Sequence, residues 1–335
     1  MIINEFRYTH ISETDGLPIS VLRIEPDNNQ KIKGIVQIVH GMTEHKGRYV
    51  EFMRYLAEHG YIAVVNDLRG HGESVRAKDD LGYFYNGGYK AMIDDVHEIT
   101  LETKKYVEDE LGITVGLKPN VEVSILGDNA LPPVSGIPYV LLGHSMGSMV
   151  IRCYIKEYDK DVDKLCVIGC PTNQGGLKAA LAFMKFLAFV KGEKSRSKIA
   201  DFMVMGSNFT NKFKNEGKYA WLNSDPERTA EYDADPLSGF SFTLNGYVNL
   251  IGLTIDTYAP GGYALQNPDL EIKFFSGKED PCAKSYKAFR EAMLHIKHQG
   301  YKNVSGKMYK GMRHEVLNER ERIRVYRDIS RFIEN

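Results

Sequence analysis

Residues 141–148 read Leu-Leu-Gly-His-Ser-Met-Gly-Ser, and the order of those residue types decides the fold. Gly143-His144-Ser145-Met146-Gly147 puts a glycine two residues to either side of a serine. That spacing suits a tight strand-to-helix turn, in which the serine takes strained backbone angles and two chain segments come close together. Small residues at the two flanking positions are then a steric requirement, and the strain holds the serine Oγ clear of the backbone, within reach of a base. Upstream, Ile137-Pro138-Tyr139-Val140-Leu141-Leu142 is a short apolar run after a proline, the pattern of a buried parallel strand. Downstream, residues 148–156 carry apolar side chains at helical spacing. Strand, turn and helix follow in the order the motif needs.

Outward from this centre the alternation continues. Strands are expected over 34–39, 61–65, 165–168, 272–275 and 304–309, and helices over 49–59, 89–110 and 319–333. Residues 6–25 read as a strand pair bent at Asp15-Gly16. Strands alternating with helices imply an α/β protein with a doubly wound, mostly parallel sheet. Two stretches break the pattern. Residues 112–136, with three prolines and Gly127-Asp128-Asn129, are expected to form a surface hairpin or loop. Residues 172–267 are helical or irregular and hold the only tryptophan, Trp221. Inserted after a strand, near the edge where ligands bind, they are placed to form a lid. The expected division is a core of 1–171 and 268–335 with a cap of 172–267.

Composition narrows the function classes. The 335 residues are 43% apolar and 26% charged, ordinary for a globular protein. Lys plus Arg number 43 against 44 Asp plus Glu, so there is no basic excess to hold nucleic acid. Cys153, Cys166, Cys170 and Cys282 show neither metal-ligand spacing nor a disulfide framework, which fits a reducing compartment. No metal or cofactor motif is present. Residues 1–7 lack an apolar signal core, and the longest apolar stretch, 177–190, is broken by Lys178 and Lys185 and is too short to span a bilayer. The expectation is a soluble, cytoplasmic protein that meets lipid at a surface at most. Its oligomeric state is not legible.

A serine nucleophile needs a base, and the base needs an acid to hold it. In strand–turn–helix serine folds the chain order is Ser, then Asp or Glu, then His. Only His295, His298 and His314 follow Ser145. The first two sit on an expected surface helix, whereas His314 lies in the turn after the last strand, so His314 is the expected base. The strand at 272–275 runs into Ser276-Gly277-Lys278-Glu279-Asp280-Pro281. Asp280 is favoured as the acid for its short side chain and following proline, with Glu279 as the alternate. A tetrahedral intermediate also needs backbone N–H donors. Met146, next after the serine, supplies one. Met42, in the Val39-His40-Gly41-Met42 loop after an early strand, supplies the other, with His40 bonding within that loop.

Four separated blocks now support a resemblance: His40-Gly41-Met42-Thr43-Glu44-His45 with Gly47-Arg48-Tyr49; Asp67-Leu68-Arg69-Gly70-His71-Gly72-Glu73-Ser74; the serine turn; and Arg313-His314-Glu315 with Leu317-Asn318-Glu319. A fifth is Asp235-Pro236-Leu237-Ser238-Gly239-Phe240. In these blocks and their order the chain resembles the monoacylglycerol lipase and lysophospholipase group of α/β hydrolases, particularly its bacterial members. The resemblance implies an α/β-hydrolase fold with a helical cap and hydrolysis of small-alcohol esters of fatty acids. It implies Ser145, Asp280 and His314 as the triad, Met42 and Met146 as oxyanion donors, and the Gly70-His71-Gly72 block as a scaffold turn. The stretch 112–136 is longer than the usual connection there.

Two questions stay open. The segment 177–190, with Phe183, Phe186, Leu187 and Phe189, reads either as a cap helix lining an acyl pocket and touching lipid or as a helix buried against the core. Three functions compete: a carboxylic ester hydrolase for monoacylglycerols or lysophospholipids, a serine aminopeptidase of the proline-iminopeptidase type, and a non-catalytic ligand-binding homologue. The second would use cap carboxylates such as Glu227, Glu231, Asp233 or Asp235 to hold a substrate amine. The third would be expected to have lost a triad member, and none is missing.

Overall fold

The computed structural model describes residues 3–27, 30–116, 136–206, 211–213 and 215–335. Among them the strands β1 (Ile3–Ile11), β2 (Pro18–Pro26), β3 (Gly34–Val39), β4 (Tyr61–Asn66), β5 (Tyr139–His144), β6 (Lys164–Ile168), β7 (Glu271–Gly277) and β8 (Val304–Tyr309) form one sheet in the order β1-β2-β4-β3-β5-β6-β7-β8. From β4 to β8 every pairing is parallel, while β1–β2 and β2–β4 are antiparallel. Register is continuous across the centre: Val39 pairs with Gly143, Gly143 with Val167, and Val167 with Phe274. The edge strand β1 is half exposed, whereas β3, β4, β5 and β6 are buried along their whole length. Strands covered on both faces read as apolar runs without alternation, which is why these were visible in the sequence.

Alternate residues of each strand feed two cores. Ile35, Ile62, Val64, Leu141, Val167 and Phe274 face one side with helices α2 (Gly88–Asp109), α3 (Met146–Tyr158) and α8 (Tyr286–His298). Val36, Ile38, Ala63, Leu142, Ile168 and Phe275 face the other with α1 (Val50–Glu58) and α9 (Arg322–Glu334). A doubly wound sheet results. Each fully buried Leu, Ile, Val or Phe contributes about 1.5–3 kcal/mol relative to exposure.

Between β6 and β7 the chain forms α4 (Leu177–Lys191), α5 (Lys198–Met205), α6 (Pro226–Ala234) and α7 (Leu244–Thr257). Helix α7 packs on α2 and α3, and its Leu244, Tyr247 and Leu253 are part of the first core. Helix α4 lies against α7. The expected hairpin or loop over 112–136 falls mostly on residues outside those described; Val115 bridges Ile137 beside it. Among the described residues, no helix is long and apolar enough to cross a membrane.

Candidate active site

Because β3, β5, β7 and β8 run parallel, their carboxyl ends meet at one edge of the sheet, and each delivers an expected site residue there. β5 ends at His144, and Ser145 follows with φ 53° and ψ −115°, angles a non-glycine residue rarely takes and that cost about 1–3 kcal/mol. The flanking glycines explain how the turn fits. A Cβ on Gly147 would sit 2.0 Å from the Val39 carbonyl oxygen, and one on Gly143 would sit 2.4 Å from that of Gly147. Helix α3 therefore starts against the backbone of β3, and any side chain at either position would push it away. Met146 opens α3, so its N–H has no intrahelical acceptor.

β7 ends at Gly277, and the following turn buries Asp280. Its Oδ1 lies 3.0 Å from His314 Nδ1 and accepts the Cys282 N–H at 2.8 Å, while Oδ2 accepts the Ser276 hydroxyl at 3.0 Å. Gly277 makes this crossing possible: a Cβ there would lie 2.1 Å from the Met312 carbonyl oxygen in the loop that carries His314. The structure thus pairs Asp280 with His314. Glu279 is half-buried, and its backbone N–H donates to Met312. His314 is 1% exposed. Its ring packs 4.8 Å from that of His144, the residue before Ser145, and 5.3 Å from Trp221.

Burial opposes charge on both members of this pair, and each offsets that effect in the other. Asp280 is held below the ordinary carboxylate range by His314 and by the hydrogen bonds of Cys282 and Ser276. His314 is raised above its ordinary value of 6.5 chiefly by the Asp280 carboxylate. An imidazole oriented and made more basic by a buried acid is equipped to take a proton from a hydroxyl.

The loop after β3 carries Gly41 beside Ser145; a Cβ on Gly41 would lie 3.1 Å from the Ser145 Cβ. Met42 follows, half-buried against the first core. Leu68 N–H donates to His40 Nε2 at 2.9 Å, so the ring proton is on Nδ1, which donates to the Gly41 carbonyl at 2.8 Å. His40 thus bonds within and beside its loop, as the sequence suggested. The Asp67–Ser74 block is a turn closed by Asp67, which accepts from the Glu73 N–H at 2.8 Å, and tied to the neighbouring loop by Lys46 Nζ, which donates to Asp67 at 2.6 Å.

Sequence reasoning missed the group that supports this loop. Glu44, 2% exposed, accepts the Gly41 N–H at 2.5 Å, the Tyr49 hydroxyl at 2.8 Å and Arg48 Nη1 at 2.8 Å, and lies 3.0 Å from His144 Nδ1. Arg48 also grips Glu315, next to His314, through bonds of 2.5 and 2.8 Å. One buried ion network therefore spans the loops of Met42, Ser145 and His314. Glu44 and Arg48 sit in a polar stretch of the sequence, His40-Gly41-Met42-Thr43-Glu44-His45-Lys46-Gly47-Arg48-Tyr49, where charge does not mark a buried residue.

Of the four apolar residues expected to meet an acyl chain, Leu187 is buried with Met184 and Ala188. Phe183, Phe186 and Phe189 are 39%, 60% and 89% exposed. Helix α4 thus has one face on α7 and an apolar face turned outward.

Among the described residues, Asp280, Cys282 and His314 bring ligand atoms within 4.8 Å of one another, with Cys282 Sγ 3.9 Å from His314 Nε2. They fit a metal poorly. Asp280 and His314 Nδ1 already bond each other, and burial pushes the Cys282 thiol well above its ordinary value.

Comparison with known proteins identifies the fold and the family. A carboxylesterase structure from Bacillus coagulans superposes with a TM-score of 0.80 at 22% identity, covering 98% of this chain and 97% of the other. A lipase in its open form gives 0.76 at 22% identity over 99% and 98%. The fold is that of the α/β hydrolases. The serine aminopeptidase, S33 family matches residues 30–114 and 124–321, and the chain belongs to that family. A monoacylglycerol lipase of Mycolicibacterium smegmatis is 26% identical over 312 residues, 92% of this chain and 90% of that protein.

Proposed function

We propose that Ser145, Asp280 and His314 act as nucleophile, acid and base, and that the Met42 and Met146 N–H groups hold the oxyanion. The observation that carries this is the buried Asp280–His314 hydrogen bond at the sheet edge that also presents the strained Ser145. The chain is a serine hydrolase of carboxylic esters: although its family carries the name of serine aminopeptidases, the relative aligned over 92% of this chain is named a monoacylglycerol lipase. In the mechanism, Ser145 Oγ attacks the ester carbonyl carbon while His314 Nε2 takes its proton. Asp280 stabilises the imidazolium, and the N-terminus of α3 adds its positive dipole to the two N–H groups facing the oxyanion. The intermediate collapses, the alcohol leaves with the proton from His314, and the acyl group stays on Ser145. Water, deprotonated by the same histidine, then releases the acid.

The substrate class is a single acyl chain on a small polar alcohol, such as a monoacylglycerol or lysophospholipid. Residues 172–267 act as the cap, and α4, with Phe183, Phe186, Leu187 and Phe189, guides the acyl chain. Its outward face, together with Ile199, Phe202 and Met203 of α5, rests on lipid. From 177 to 192 the sequence holds Lys178, Lys185 and Lys191 and no carboxylate, which suits an anionic lipid surface. The cap carboxylates of the rival aminopeptidase reading are partly engaged already: Asp235 pairs with His45 at 2.7 Å and Glu231 with Arg228 at 3.1 Å. A panel of monoacylglycerols and nitrophenyl esters of graded chain length, beside an aminoacyl anilide, tests the reading. Rates should rise about fourfold per methylene until the pocket is full. Turnover of the anilide without turnover of the esters would overturn it.

A further inference from the structure

Thr43 follows Met42 and has φ 51°, in the left-handed region that a β-branched residue avoids. Something must hold it there. Its carbonyl oxygen accepts two hydrogen bonds, from the Tyr232 hydroxyl at 2.8 Å and the Gly239 N–H at 2.9 Å. Both donors belong to the segment between β6 and β7, not to the sheet. With its own proton on the carbonyl, Tyr232 Oη accepts from the Thr43 hydroxyl 2.9 Å away. Tyr232 itself is fixed: it is 5% exposed, its ring lies 4.8 Å from Tyr219, and the Arg48 guanidinium sits 4.7 Å over it.

We propose that Tyr232 is a positioning residue through which the seating of the cap sets the oxyanion loop. The Met42 N–H lies between two anchored peptide groups. On one side Glu44 holds the Gly41 N–H; on the other, Tyr232 and Gly239 hold the Thr43 carbonyl. When α6 is in place, Thr43 is kept at its unfavourable angle and the Met42 N–H stays aimed. When α6 and the turn after it that carries Gly239 lift together, the Thr43 carbonyl loses both donors, the strain relaxes, and the donor turns away. Efficient turnover then requires a closed cap, and an open one is suited to loading and release. Asp235, one residue after α6, reinforces the same contact through His45, next but one to Thr43.

This inference rests on the serine-hydrolase reading, and its test separates the two. Tyr232→Phe removes the hydroxyl but keeps the ring against Tyr219 and Arg48, so its melting temperature should stay within a few degrees of wild type. On a soluble nitrophenyl ester its kcat should fall about tenfold with KM changed less than twofold. Affinity for an alkylboronic acid, whose adduct with serine places an oxygen in the oxyanion site, should weaken about as much as kcat/KM. Thr43→Val keeps the carbonyl bond and should stay within about threefold of wild type. A folded Tyr232→Phe with kcat and boronate affinity within twofold of wild type overturns the inference while leaving the hydrolase reading intact. A defect in Thr43→Val equal to that of Tyr232→Phe also overturns it, because the hydroxyl pair rather than the carbonyl bond would then hold the loop. A wild-type protein inert to both ester and boronate overturns the hydrolase reading and the inference with it.

Discussion

Replacing Glu44 by glutamine changes one oxygen of a 2%-exposed side chain into an amide, and the structure fixes what that does. Three groups converge on Oε1: the Gly41 N–H, the Tyr49 hydroxyl and His144 Nδ1. Arg48 Nη1 takes Oε2. The best placement of glutamine keeps its oxygen toward the three and turns its NH2 toward the Arg48 guanidinium, donor against donor. One charge-assisted hydrogen bond, about 1.5–3 kcal/mol, is lost. Arg48, mostly buried, keeps Glu315 as its one remaining carboxylate partner, and an imperfectly paired charge there adds to the loss. The expected destabilisation is about 3 kcal/mol at pH 7, with a fall in kcat of at least about tenfold as the loop carrying Met42 loosens. Chemical denaturation of both proteins at several pH values is the assay. Burial works against the Glu44 charge, but His144, Arg48 and His40 hold it well below 4.5. A depressed carboxylate stabilises above its unfolded value and loses that contribution as pH falls toward its folded value, so the gap between wild type and variant should narrow below about pH 4.5. A difference under about 1 kcal/mol at pH 7, or a gap that stays constant as pH falls, would refute the reasoning.

The raised basicity of His314 predicts a kcat/KM that rises with pH through a midpoint above 6.5, because only the neutral imidazole accepts the Ser145 proton. Asp280→Asn removes the group that raises it and leaves the burial that lowers it, so residual activity, down by ~10³–10⁴-fold, should show its midpoint at lower pH; an unmoved midpoint counts against the pairing. Phe186→Ser and Phe189→Ser should leave melting near wild type, since both rings are exposed, yet weaken binding to anionic vesicles about tenfold each; unchanged vesicle binding would remove the lipid face from the proposal.

Some of this was legible in the sequence because the physics was local. β3 has the expected bounds because its apolar run lies between Lys33 and His40, and β8 keeps the expected bounds of Val304–Tyr309 although its middle residues are polar or glycine. The serine turn could be read from Gly143 and Gly147 because two close backbone contacts admit no side chain there. Boundaries slipped where distant contacts decide them. β5 starts at Tyr139 rather than Ile137, because Ile137 bridges Val115 and Pro138 has no N–H to give the ladder. Helix α9 starts at Arg322 rather than Glu319, because Glu319 is buried as an acceptor for Arg313 N–H at 2.8 Å and Ser224 N–H at 3.0 Å. Asp280 was favoured over Glu279 in the sequence for its short side chain and following proline, and the structure sets its Oδ1 3.0 Å from His314 Nδ1. The contact of Tyr232 with Thr43 was invisible because 189 residues separate them, and the link from Glu44 to His144 because 100 residues do.

The whole mechanism turns on one oxygen. Treating the protein with a fluorophosphonate and reading intact mass, then peptide mass, asks directly whether Ser145 is the nucleophile. The mechanism predicts a single adduct on the peptide carrying Ser145, formed in wild type and absent in Ser145→Ala. Equal labelling of the alanine variant, or an adduct on any other residue, would contradict it.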